Sequence, residues 1–511
     1  MRRGKKFILN TLILTGTSLL LQFVGVSYSV YISKKIGTSA MGIYQLIMSI
    51  FFFAITLSIS GIGFCTTRMV AEELAHGEKS LKRIMRRCTL YGVSFGTLTF
   101  ILLLIFGKHI GTVWLRDART VKSLYALGIM MPFMSLSAVI SGYFTAVRRV
   151  FKSASSQIME QILKIMISVY ALNFLMPPGL EYACLAIVGG GSIAEILSTI
   201  YLYVLYLLET RKYNAVNSKA KSGRHLSRKM FSIAVPIALS SYVRSGLVTM
   251  EHIMIPIGLE KSGVNKRLAL SEYGIIHGMV MPIIFFPSAL LTSFASLLIP
   301  EMAECREHND IEQIRSIITR ILKFTLLFSV GIAGIFVFYA EKLGDMIYQN
   351  ANVGHFILIF APLVIAMYLD TVVDGMLKGL NEQVASMRYN IIDAFVSVVL
   401  VYILLPVMGI WGYVVVIYIS ELLNMLLSIR RLIMVTSFKL NLMGWLVKPI
   451  ICVVAAAFLS GFIAGEIASN LGPTAFIIVQ MLLTSSFYFM FLIITGSVTR
   501  QDFSRMRGIF V

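Results

Sequence analysis

Residues 230–257 read MFSIAVPIALSSYVRSGLVTMEHIMIPI, a mostly apolar run that carries Arg244, Glu251 and His252. An α-helix rises 1.5 Å per residue, so about 20 residues cross a hydrocarbon core of about 30 Å. The run is long enough to span a membrane as a helix, whereas a barrel strand would be shorter and would alternate in polarity. Its charges raise a second question. A charge near the centre of a spanning helix costs about 2.5–3.5 kcal/mol, so Arg244 needs surroundings that offset the cost.

Working outward, runs of the same kind fill the chain. Fourteen spans are expected, among them 7–32, 43–67, 157–176, 275–299, 446–465 and 474–496. Hydrophobic residues make up 57% of the chain and charged residues 14%, against about 25% charged in soluble domains. Mean hydropathy is +0.82. The fold class is therefore all-α integral membrane, with no stretch left for a soluble catalytic domain.

The net charge of +20 is a matter of topology. Most Lys and Arg fall on the side of the N-terminal MRRGKK, the bias that keeps basic loops in the cytoplasm. It predicts a multi-pass protein of the cytoplasmic membrane with both termini inside. The basic loops then meet anionic lipids, and no nucleic-acid partner is needed. The first run resembles a signal peptide but ends at SKK without an A-x-A-like cleavage site, so it reads as a retained first span.

Motifs narrow the chemistry further. The five cysteines (Cys65, Cys88, Cys184, Cys305, Cys452) form no C-x-x-C pair, which points to packing rather than a disulfide framework or zinc site. The seven histidines include no H-E-x-x-H, and no phosphate-cradling G-x-x-x-x-G-K-[ST] occurs, so catalytic residues, a metal centre and ATP-driven pumping are not expected. GIG at 61–63 and GGG at 189–191 lie on spans and read as close helix packing.

The polar stretch ETRKYNAVNSKAKSGRHLSRK at 209–229 divides the chain into an N-lobe at 1–208 and a C-lobe at 230–433, followed by an appended pair of spans and a tail at 434–511. The lobes show traces of one pattern. At an offset of 232, Ala71, Glu72, His76 and Arg83 meet Ala303, Glu304, His308 and Arg315. At 233, Gly142, Ser153 and Glu160 meet Gly375, Ser386 and Asp393, and Glu195 and Glu421 take similar places in the last span of each half. Six spans per unit make a parallel repeat around a central cavity.

Candidate site residues sit on the spans. Arg244 and Glu251 are two helical turns apart on one face, with His252 beside it. A water-filled cavity explains all three; the alternatives are a structural ion pair with another helix or a span boundary that leaves Glu251 and His252 at the outer interface. Glu160 and Lys164 are four apart, in the order that favours self-pairing on a helix. Asp370 and Asp374 also share a face, where two carboxylates can share a proton or hold a cation; Asp374 also precedes Lys378 by four residues. Asn390 and Asp393 form an oxygen-rich pair suited to a coupling ion, Na+ or H+.

Several stretches together resemble the stage V sporulation protein B family. They are GTSAMGIYQL, RMVAEELAHGE, SGYFTAVRRVFKSASSQIMEQ, PPGLEYA and SEYGIIHGMVMPIIFFPSALLTSFASLLIPEMAE, which run through both lobes. That family belongs to the multidrug/oligosaccharidyl-lipid/polysaccharide exporter superfamily, with the MurJ-type lipid II flippases. The resemblance implies two six-helix lobes, two extra helices, and movement of an undecaprenyl-diphosphate-linked saccharide such as a peptidoglycan precursor. It also implies a departure: where lipid II flippases carry first-span arginines that bind a diphosphate, this chain has Gln22 and Tyr28. The alternatives are organic-cation efflux by ion antiport, a polytopic glycosyltransferase, and a non-transporting scaffold that recruits cell-wall synthesis proteins.

Overall fold

Backbone groups inside a bilayer have no water to bond, so apolar segments satisfy them internally as helices. The computed structural model describes all residues except 1, 76–80, 176–178, 211–223, 309, 439–440, 442, 468–471 and 499–511. Most of the 209–229 stretch, His76, the prolines of PPGLEYA and the C-terminal tail thus lie outside the described residues. Among the described residues there is no strand.

The first helices are α1 (Arg2–Ile36), α2 (Thr38–Ile59), α3 (Ile62–Ala75), α4 (Leu81–His109), α5 (Val121–Ala146), α6 (Val150–Leu175) and α7 (Leu180–Thr210). There follow α8 (Arg224–Lys261), α9 (Lys266–Ile275), α10 (Met281–Phe285), α11 (Ser288–Glu307), α12 (Ile311–Tyr348), α13 (Ala351–Phe360) and α14 (Val364–Gly379). The last four are α15 (Gln383–Met408), α16 (Ile410–Thr436), α17 (Lys448–Ile467) and α18 (Pro473–Ile494). Two compact units result, one of Met1–Tyr28, Lys35–Gly274 and Val401–Gly409, the other of Ser29–Lys34, Ile275–Leu400 and Ile410–Val511.

Twelve helical stretches among the described residues are long and apolar enough to cross a membrane, two fewer than expected. Helices α1 and α6 occupy the remaining two positions, and α6 carries Glu160 and Lys164 inside its apolar stretch. Two boundaries also move. The eighth span begins at Lys266 rather than 275, because α8 runs on to Lys261 and only a short turn follows. The second span is interrupted: Ser60 adopts the left-handed conformation (φ 47°) and Gly61 follows at φ 71°. The first glycine of GIG therefore serves a break in the helix.

The repeat is written into the turns. Val147, Arg148 and Arg149 donate backbone hydrogen bonds to the carbonyls of Tyr143, Thr145 and Phe144 at 3.0, 3.1 and 2.9 Å. At an offset of 233, Leu380, Asn381 and Glu382 donate to Met376, Lys378 and Leu377 at 2.9, 3.1 and 2.8 Å. The central residues match as well, Arg148 at φ 58° and Asn381 at φ 59°. Close helix contacts repeat too. A Cβ on Gly142 would lie 2.6 Å from the carbonyl oxygen of Gly63, and one on Gly375 would lie 2.8 Å from the Ala295 side chain, so both positions keep two backbones close.

The appended pair, α17 and α18, packs on α12 within the second unit. Glycines on α12 make the room. A Cβ on Gly331 would lie 2.8 Å from the Tyr488 ring, and one on Gly334 would lie 2.3 Å from Val453. Tyr488 then donates its hydroxyl to the Leu327 carbonyl at 2.7 Å. All five cysteines are free and buried, Cys452 in this apolar cluster.

Candidate functional site

Three ionisable side chains meet inside the first unit. Glu160 and Lys164 come from α6 and Glu195 from α7, and all three line one pocket. Thr199 donates to Glu195 Oε1 at 3.2 Å. Lys164 Nζ stands 5.9 Å from the centroid of the Tyr28 ring on α1, within cation–π range. They border a cavity of about 50 Å³ whose other walls include Tyr44, Met48, Met130 and Met134.

The GGG motif builds this site. A Cβ on Gly190 would lie 2.3 Å from the Ser168 hydroxyl, so this glycine keeps α6 and α7 in contact, while Gly191 faces the Lys164 stem. Gln22 sits half-buried on α1, six residues before Tyr28. Glu195, whose sequence signal was only its likeness to Glu421, completes the cluster. A carboxylate in an otherwise apolar run, SIAEIL, is the cue that marks it.

Arg244, Glu251 and His252 lie on α8. Tyr242, Ser245 and Thr249 form the face packed on α2: Tyr242 donates to Ser60 Oγ at 2.6 Å, Ser245 accepts from Thr56 at 3.2 Å, and Thr249 donates to the Ser49 carbonyl at 3.2 Å. At about 100° per residue, Arg244 and Glu251 fall on the opposite side of the helix, away from α2. Arg244 is exposed, and it makes no hydrogen bond or ion pair with the described residues. Glu251 is half-buried. His252 turns aside to Tyr273, with Nδ1 3.0 Å from the phenol oxygen. Tyr273 has no motif to flag it; the break between α8 and α9 brings it there.

The second unit spreads its polar groups. Asp374 pairs with Lys378 at 2.5 Å and accepts a hydrogen bond from Ser386, whereas Asp370 accepts from Asn424 at 3.0 Å. The two carboxylates that share a helix face in the sequence thus go to different partners, because α15 and α16 approach α14 at different turns. Asn390 donates to the Ser386 carbonyl at 2.9 Å, and Asp393 accepts from Ser420 at 2.6 Å.

An apolar groove of about 340 Å³ runs between α12 and the α17–α18 pair, walled by Phe324, Phe328, Tyr488 and Phe489, with Arg320 and Lys323 also lining it. Cations and long apolar walls together suit an amphipathic anion.

A multi-pass helical protein with a repeat, interrupted spans and ionisable groups at membrane depth has the build of a secondary transporter. The chain belongs to the family described as "Polysaccharide biosynthesis protein", whose model matches residues 6–305; the MatE model matches residues 266–403. It is 27% identical over 416 residues to "Stage V sporulation protein B" of Bacillus subtilis (strain 168), covering 80% of this chain and 79% of that one. It is 23% identical over 473 residues to "Lipid II flippase MurJ" of the same organism, covering 84% and 83%. A solved structure titled "Lipid II flippase MurJ, inward closed conformation" superposes with a TM-score of 0.68 at 14% identity, over 96% of this chain and 98% of that one. The resemblance drawn from the sequence holds, and the chain is a membrane flippase or transporter of the multidrug/oligosaccharidyl-lipid/polysaccharide superfamily.

Proposed function

We propose that this protein moves a polyprenyl-diphosphate-linked saccharide across the cytoplasmic membrane by alternating access of its two six-helix halves, with both termini in the cytoplasm. Arg244 carries the anionic part of the reading. A guanidinium on a spanning helix with no carboxylate among the described residues to neutralise it calls for an anionic ligand, and its planar fork suits a diphosphate. Glu251 contacts sugar hydroxyls or takes up a proton, while His252 is held on Tyr273, and Gln22 and Tyr28 line the first-half wall. The apolar groove of the second unit accepts the polyprenyl chain. The family match to polysaccharide biosynthesis supports the saccharide.

Coupling has two candidate elements. Glu160, Lys164 and Glu195 together carry one negative charge when all are ionised, so one proton neutralises the cluster in a poor dielectric. Asp393 with Asn390 offers oxygens to Na+. Arg244→Ala is expected to lose translocation of labelled substrate in vesicles while still reaching the membrane; unchanged flipping overturns the anion role. Lipid-linked intermediates accumulating inside cells that lack the protein identify the sugar.

A further inference from the structure

At the end of the first unit opposite the start of α1, a cavity of about 920 Å³ is lined by Gly37, Thr38, Ser39, Arg119, Lys266 and Arg267, with no carboxylate among its described lining residues. Asp117 holds Arg119 from behind, accepting from Nε at 2.8 Å and from Nη2 at 2.6 Å, and lies 3.8 Å from Lys266 Nζ. One carboxylate against three cations leaves positive charge facing the cavity. Arg267 is exposed and makes no ion pair with the described residues.

The backbone adds to this charge. Helix α2 opens on the cavity with no side-chain cap at Gly37, and no heavy atom lies within 4 Å of where a Gly37 Cβ would be. Gly37, Thr38, Ser39 and Ala40 line the cavity, so the uncapped first turn of α2 brings the positive end of the helix dipole to it. The walls are rigid: a Cβ on Gly42 would lie 2.0 Å from the Leu270 carbonyl oxygen, so α2 and α9 touch backbone to backbone. By the basic bias of the loops, this end is extracytoplasmic, where Lys and Arg are normally sparse. Three around one cavity need a reason.

We propose that this cavity binds a phosphate group, carried by an anionic lipid headgroup or free in solution. The inference stands apart from the transported substrate and from Arg244. Two arms on the full-length protein test it: calorimetric titration with inorganic phosphate in phosphate-free detergent, and native mass spectrometry after release from nanodiscs of phosphatidylcholine with or without phosphatidylglycerol. Saturable binding in either arm supports the site, and the arm that responds names the source. Arg267→Gln should weaken it about tenfold, and Ser39→Asp, which favours the α2 terminus but puts an anion in the cavity, should abolish it. Arg228→Gln, at the other end of α8, should leave it unchanged. Absence of binding in both arms, or equal binding by the wild type and both cavity variants, overturns the proposal.

Discussion

Glu160 on α6 and Asp393 on α15 stand at equivalent places in the repeat, 233 residues apart, yet their surroundings differ. Glu160 shares a pocket with Lys164 and Glu195, whereas Asp393 accepts a hydrogen bond from Ser420 and Ser397 takes the place of Lys164. Ser397 is buried. The backbone scaffold was kept in both halves while the charge was concentrated in one. A repeat of this kind separates what holds the helices, which is shared, from what they handle, which is not.

Removing the cation separates the two halves most strongly. Lys164→Met leaves the carboxyls without their partner, and removing one member of a buried ionic cluster costs about 3–5 kcal/mol. Ser397→Ala at the equivalent position removes no charge and should cost under about 1.5 kcal/mol. Thermal unfolding in detergent, followed by fluorescence-detected size exclusion, reads both. A Glu160→Gln/Lys164→Met double variant should recover most of the loss. Equal costs for the two single substitutions would mean that the first-half cluster is no more electrostatic than its counterpart.

A second contrast lies at the helix ends after the repeated turn. Arg149 and Lys152 both pair with Glu209, at 2.6 and 2.7 Å, while in the second half the acid is on the turn: Glu382 pairs with Arg431 at 2.8 Å. The side chain of Glu209 is 5% exposed and that of Glu382 is 20% exposed. Glu209→Gln strands two cations and should cost about 2 kcal/mol. Glu382→Gln, in better contact with solvent, should cost about 1 kcal/mol or less. The same unfolding assay ranks them, and a reversed order would show that burial does not govern these pairs.

These contrasts also explain how much of the molecule was legible from residues alone. Apolar run length located the spans because hydrocarbon thickness imposes it, and the sparse matches at 233 located the repeat because Gly142 and Gly375 sit where helix backbones nearly touch. Helices α1 and α6 stand where the first and fifth spans are expected, beyond the twelve that the described residues show as long and apolar enough. The break at Ser60–Gly61 escaped notice, since a left-handed residue inside an apolar run leaves no trace in hydropathy. Glu195 and Tyr273 were missed as partners for another reason: which helices neighbour one another is a tertiary fact, and helical spacing reports only contacts within one helix.

A third contrast is the most exact test of the repeat. Asp117 and Asn350, also 233 residues apart, cap the turns before α5 and α13 in the same way. Asp117 Oδ1 accepts from the Arg119 N–H at 3.1 Å and Asn350 Oδ1 from the Asn352 N–H at 3.0 Å. Only Asp117 can bind a proton. Burial alone would push its carboxyl up, but the hydrogen bonds from Arg119 and the charges of Arg119 and Lys266 outweigh burial and hold it below the usual aspartate range. A group lowered in the folded state stabilises fully above its unfolded pKa, about 4, and loses that stabilisation as pH falls through the folded value. Asp117→Asn keeps the cap and removes the ion pair, making the first half resemble the second. The variant should be about 1 kcal/mol less stable than wild type at neutral pH, and the gap should close as pH is lowered below 4. A gap that stays constant down to pH 3 would place the contribution of Asp117 in its cap alone, and the two turns would then be energetically alike as well as geometrically so.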